Sequence, residues 1–286
     1  MYALSKPAFA VTDVLAMCIG AISTSDDLVN RLNAVKNTIE ANEPLYDTHA
    51  TNSLLNLIVR RTDLGSVTKA ELIALYEDHL SATRGAARAV YDAIKNAAPN
   101  KLCPLCSIGS VAHVDHHLPK SRYPDLSVLP LNLVPACHFC NDTKKARFPT
   151  TAGEQTFHPY YDAHLLTQRW ITATLDYGAP LVVVFSVTAP TSWPLTDQQR
   201  VARHFTTCGL GISFGTNANA NLVSLKRRLQ RLHDPGGAAA VKAYLEEERD
   251  SHDDKPNSWQ HVFFQALAAD DWFVNGGFAQ IADPQL

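Results

Sequence analysis

The chain lacks any run of apolar residues long enough to cross a bilayer, so no helical membrane span is expected. Its N-terminal stretch, MYALSKPAFAVTDVLAMCIGAIST, is modestly apolar, but it has no basic n-region and Asp13 interrupts it. A secretory signal is therefore not expected. A dominant charge is missing too. The formal net charge of −3 gives no sign of a strongly basic, nucleic-acid-coating surface. There is no internal repeat and no low-complexity segment. Cysteine is sparse, with six in all, and two of these, Cys18 and Cys208, stand alone and read as small buried hydrophobes.

The other four cysteines form two C-x-x-C pairs, Cys103/Cys106 and Cys137/Cys140. In a chain without a signal such pairs read as a metal site, not a disulfide framework, which places the protein in a reducing cytoplasm. The 286 residues suffice for a sizeable core and more than one domain, and the 46% hydrophobic and 19% charged shares suit a globular protein. The charge is unevenly spread. Residues 99–150 carry six Lys/Arg against three Asp/Glu, a local +3 inside an acidic chain, which would steer a polyanion there.

Periodicity predicts an α+β protein in three parts. Residues 1–98 read as helical. Asp13 to Ile22 has helical spacing, and Ser25 to Glu40 places Leu28, Leu32, Val35 and Ile39 on one face. A short helix is expected over Asn52 to Arg60. Thr68 and Glu71 form a capping box opening a helix to about Leu80, and Arg84 to Ala98 makes another, stopped by Pro99-Asn100. Residues 99–150 read as a small metal-held unit, with strands around Ala112–Leu118 and Leu131–Val134 and a short helix from Cys140. Residues 151–286 read as α+β and mostly helical. Strands are expected at Trp170–Tyr177 and Leu181–Thr188, and helices at Thr196–Phe205, Asn221–His233, Ala238–Arg249 and Trp259–Ala268. Pro235-Gly236-Gly237 marks a break between the second and third of these helices. On Asn221–His233 a leucine stripe is expected to face the core and Lys226, Arg227, Arg228 and Arg231 to form a solvated basic face, with a grip on nucleic acid or a partner as the alternative.

Two residues between thiolates let both sulfurs reach one ion at about 2.3 Å, so the four cysteines suit one tetrahedral structural zinc. The 30 residues between the pairs leave room for an inserted functional hairpin. That insert reads Val114-Asp115-His116-His117-Leu118-Pro119, then Asn132-Leu133, with Asn141 directly after Cys140 and Lys144 beyond it. Taken singly, Asp115 fits a turn or cap, Asn132 a turn, and Asn141 a helix N-cap. Taken together with the cysteines, the order C-x-x-C, D-H-x-x-P, N-L, C-x-x-C-N, K resembles the HNH (ββα-metal) endonuclease family. It is closest to the subgroup whose treble-clef-like hairpin is clamped by four zinc-binding cysteines. The resemblance covers about residues 101–147.

It implies a divalent-metal-dependent endonuclease that hydrolyses phosphodiester bonds, with DNA as substrate and RNA a possible one. His116 would be the general base that activates water. Asp115 and Asn141 would hold the catalytic Mg²⁺ or Mn²⁺, and Asn132 would fix the active loop and orient His116. Lys120, Arg122, Lys144, Lys145 and Arg147 would contact phosphates. The products would carry a 5′ phosphate and a 3′ hydroxyl. The domain layout resembles HNH nucleases of bacterial anti-phage systems of the Septu type, which implies defence against foreign DNA with an ATPase or other partner. From a different class comes a zinc-binding treble-clef module that binds nucleic acid or protein without catalysis. His113, His117 and His138 fall outside the expected core set. The FHPYYD segment is expected to pack against the cysteine block, the alternative being that it adds His158 to the site.

Overall fold

Side-chain caps set the starts of several helices in the computed structural model, which describes residues 1–282. It is an α+β protein with two small two-stranded sheets among the described residues, and it divides into two compact units, Tyr2–Ala163 and the residues from His164 on. No described helix is long and apolar enough to cross a membrane.

The first unit begins with α1 (Val11–Gly20) and α2 (Asp26–Glu40), whose N-cap Ser25 accepts the Leu28 amide. The third helix, α3, is Asn42–Thr51, not the expected Asn52–Arg60. Pro44 sits in its first turn, where the missing N–H costs nothing, and Ser53 at φ 57° turns the chain out of the helix. Only a single 3₁₀ turn, Leu55–Leu57, follows. The Thr68–Glu71 capping box opens α4 (Lys69–Ala74) as expected, and the chain continues as a π-helical segment, Leu75–Leu80. Next comes α5 (Arg88–Asn96). Strand β1 (His113–His116) pairs antiparallel with β2 (Leu133–Ala136), with Asp115 opposite Val134 and His116 opposite Leu133, and α6 (His138–Lys144) follows. One hydrophobic core holds this unit together. Val14, Leu15, Tyr46 and Leu72 from the helices share it with Val114, Leu126 and Leu133 from the hairpin. Residues 1–98 and the cysteine block therefore pack as one body.

In the second unit β3 (Ile171–Asp176) pairs antiparallel with β4 (Val182–Val187). Helices α7 (Leu195–Thr207), α8 (Leu210–Asp250), α9 (Trp259–Ala269) and α10 (Asp271–Val274) complete it. The two helices expected over 221–249 lie within the single long α8, broken at Gly237 (φ 60°) just after Pro235. The helix also starts earlier than its propensity indicates. Gly211 and Gly215 sit close to the carbonyls of Phe185 and Val183, and Phe214 packs edge-on against Phe185. Packing against β4 outweighs the low helix propensity of those glycines. Leu222, Leu225 and Leu229 are buried while Arg227, Arg228 and Arg231 are exposed, so the leucine stripe is core and the basic face is solvated. Cys18 and Cys208 are both buried, and burial pushes the Cys18 thiol up to about 12.

Candidate active site

The four paired cysteines converge as their spacing predicts. All four are buried, none is in a disulfide, and their sulfurs lie within 4.8 Å of one another. A tetrahedron with bonds of about 2.3 Å has sulfur–sulfur edges of about 3.8 Å. The Cys106–Cys137 sulfur separation is 3.8 Å. Two tight turns build the cluster. The Cys103 amide donates to the Gly109 carbonyl (2.8 Å), and the Gly109 and Cys140 amides point at the sulfurs of Cys106 and Cys137 (3.5 and 3.4 Å). Gly109 is required here, because a β-carbon would stand 2.7 Å from Cys137 Sγ. Hydrogen bonds from neighbouring cysteines hold the Cys106 thiol well below the usual thiol range and lower Cys137, while a hydrogen bond with Cys106 pushes Cys103 up. Four buried thiolates repel one another unless a cation joins them, so this donor set fits a structural zinc.

Alternation along β1 sends Asp115 and His116 to opposite faces of the hairpin. His116 is buried. Its ring lies edge-on to Tyr76 (centroids 4.4 Å), and Nε2 lies 2.8 Å from the Ser127 carbonyl oxygen. A carbonyl can only accept, so Nε2 carries the proton and Nδ1 keeps the lone pair. Burial pushes the imidazole down to about 3, so it is neutral at physiological pH. Asp115 Oδ2 is buried and pairs with the Lys144 ammonium (2.9 Å), without an aligned hydrogen bond. Asn141 stands on α6, one residue past the cysteine cluster, and α6 packs against β1.

Asn132 is fully buried and mimics a backbone partner. Its Oδ1 accepts the Leu118 amide (2.7 Å), and its Nδ2 donates to the Leu118 carbonyl (3.0 Å). It thereby pins the loop that leaves β1. Tyr46 Oη also donates to Asn132 Oδ1 (3.1 Å) and lies 3.1 Å from His158 Nε2, while the His158 ring packs on His117 (centroids 4.1 Å). The FHPYYD segment does pack against the hairpin, and Tyr160 Oη donates to the Leu133 carbonyl (2.7 Å). Tyr46 was not legible as a site neighbour. A buried tyrosine on an amphipathic helix carries no motif, and its hydroxyl partner lies 86 residues away.

The expected phosphate contacts divide. Lys144 does not stand in solvent. It is buried, pairs with Asp115, and donates to the His116 carbonyl (2.6 Å), because α6 turns it inward against β1. It is an internal clamp on the two residues beside it. Lys120 pairs with Glu77 (3.1 Å) and lies over the Tyr76 ring. Arg122, Lys145 and Arg147 are exposed. His113 and His138 form an exposed pair, with Nε2 and Nδ1 2.7 Å apart.

No family model and no solved structure matches the chain. Among curated proteins, protein ea31 of Escherichia phage lambda is 31% identical over 232 residues, which span 74% of this chain and 76% of the relative. An alignment of that length and identity across most of both chains shows common descent, and the chain belongs to the family of the phage lambda protein ea31.

Proposed function

We propose that the first unit is a metal-dependent HNH-type endonuclease that hydrolyses phosphodiester bonds, with DNA as its substrate. One observation carries this reading. A neutral histidine, held through Nε2 so that Nδ1 keeps its lone pair, directly follows in sequence a carboxylate that pairs with Lys144 on the other face of β1, in a hairpin that carries the four-cysteine cluster. His116 takes the proton of the attacking water at Nδ1. A base near 3 is weak, and the negative charge of an arriving phosphate raises it. Asp115 and Asn141 would hold Mg²⁺ or Mn²⁺, which would supply Lewis acidity at the phosphate. Asn132, braced by Tyr46, keeps the loop after β1 in place, and Lys144 holds Asp115 and the His116 backbone together. Defence against foreign DNA with an ATPase or other partner is proposed on domain layout, and co-purification from the host tests it.

The test is cleavage of supercoiled plasmid by zinc-loaded protein. Cleavage should need added Mg²⁺ or Mn²⁺ and vanish in Asp115→Ala, with zinc content unchanged. Cleavage that survives both changes would sink the mechanism. One observation favours a second reading: the His116 ring is covered by Tyr76. On that reading the hairpin is a zinc-held binding module, which retains zinc and binds nucleic acid or protein but never cleaves.

A further inference from the structure

Away from the hairpin's metal donors, the first unit contains an open cavity of about 470 Å³ whose lining is strongly basic. Arg60, Arg61 and Lys69 come from the segment leading into α4, and Ser121 and Arg122 from the turn that follows the pinned loop. A cavity of this size is within the range that holds small organic ligands.

The cations in it have different tasks. Arg61 is structural, because its guanidinium pairs with the buried Asp125 carboxylate (2.7 Å). Arg60 and Arg122 have no carboxylate partner among the described residues. Both instead lie over the ring of Phe148, with centroid distances of 4.8 and 5.7 Å. The aromatic face offsets part of their mutual repulsion and limits their freedom before any ligand arrives. Lys69 adds a third positive charge, and the nearby Asp63 spends one oxygen on the Lys69 backbone amide (3.1 Å). Like charges gathered on one wall of an open cavity, with a hydroxyl beside them, call for an anion with several acceptor oxygens.

We propose that this pocket binds a phosphate group, as a second phosphate subsite outside the hairpin. Arg60 and Arg122 supply the guanidinium forks, and Lys69 adds charge. Because Arg122 lies in the turn closed by its own amide on the Pro119 carbonyl (2.8 Å), the pocket adjoins the loop that leaves β1. On the nuclease reading, the ligand is a backbone phosphate of the strand being cut. The same chemistry would also accept the phosphates of a free nucleotide.

Zinc-loaded protein, with no other divalent ion added, is titrated with a labelled DNA oligonucleotide, inorganic pyrophosphate and ATP across a salt series. The double variant Arg60→Ala/Arg122→Ala should weaken DNA binding by at least about tenfold. It should also reduce the slope of log affinity against log salt by about 2, since each neutralised phosphate contributes about 0.9. Arg60→Lys/Arg122→Lys should restore most of that slope, and zinc content and melting temperature should stay unchanged in both variants. Weakened ATP and pyrophosphate binding with DNA binding intact would support the pocket and assign it to a free nucleotide. Unchanged binding of all three probes would overturn the proposal. The same proteins are then given Mg²⁺ and plasmid. Pocket-dependent binding without any cleavage would sink the nuclease reading and leave the pocket standing.

Discussion

The two small sheets are built to the same plan and held by different forces. Each is one antiparallel pair, a form that is at best marginally stable alone in water. In each, a helix side chain satisfies the free strand edge. Tyr76 donates its hydroxyl to the Val114 carbonyl (2.7 Å) on β1, and Asn219 accepts the Val183 amide (2.7 Å) on β4. The second sheet is secured by apolar packing, with α8 against β4, α9 against β3, and Phe214 on Phe185. The first combines a shared core with a four-cysteine staple, which leaves room for polar residues in and around the hairpin: Asp115 and His116 on β1, Asn132 just before β2 and the clamp Lys144 on α6. A hairpin clamped by a four-cysteine cluster has less need of apolar side chains at every position, and that is where the candidate chemistry sits.

Asparagine extends the comparison. Asn219 bonds both the amide and the carbonyl of Val183, and Asn257 bonds the Trp170 amide (2.8 Å) and the Gln168 carbonyl (2.8 Å). Asn132 treats Leu118 in the same way. Since this device recurs in the second unit, where no candidate chemistry lies, the contribution of Asn132 is architectural. It acts through the loop it pins.

The largest effect that would separate the two sheets is loss of the staple. Cys103→Ser, or a strong chelator, should unfold the first unit, since structural zinc contributes on the order of 10 kcal/mol. All four tryptophans, at 170, 193, 259 and 272, lie in the second unit. Their emission should barely change while tyrosine near-UV circular dichroism collapses; tryptophan emission that falls in step with the tyrosine signal would break the comparison. Next comes Phe214→Ala, which removes a fully buried ring and should cost the second unit about 3–5 kcal/mol. Bound zinc should remain at one ion per chain by metal analysis. Asn132→Asp leaves the Leu118 carbonyl without its donor and buries a charge, so it should cost about 2–3 kcal/mol in denaturant unfolding. Asn219→Asp, at a half-buried position, should cost about 1 kcal/mol.

The smallest effect lies at the α4 cap. Hydrogen bonds from Arg31 first, then the Thr68 amide, hold the Glu71 carboxyl down to about 2. A depressed carboxyl adds stability that is present above its ordinary value near 4.5 and is lost as pH falls through about 2. Glu71→Gln should therefore cost about 1 kcal/mol at neutral pH, in the range of a lost cap. The gap between parent and variant should close between pH 5 and 2 in melts across that range.

What could be read in the sequence was whatever is encoded locally. Thr68 and Glu71 cap a helix through their own side chains, paired cysteines three apart converge in one cluster, and β-branched, apolar runs mark β3 and β4. What could not be read depends on partners far along the chain. Lys144 reads as a solvent-facing cation until α6 is docked on β1, and Tyr46 gains meaning only beside Asn132. The first turns of α8, before Asn221, carry no helix signal because their glycines are poor helix formers, and the nearby β4 explains why they fit. Arg60 and Arg122, distant in sequence, are brought together by Phe148.

The central claim is that His116 removes a proton from water beside a divalent ion. The most direct measurement is the single-turnover rate of duplex cleavage in Mg²⁺ by parent and His116→Ala proteins, each loaded with one zinc and shown to be folded. The account predicts that the variant is slower by about 10²- to 10⁴-fold, the usual contribution of a general base. Equal rates in the two proteins would contradict it.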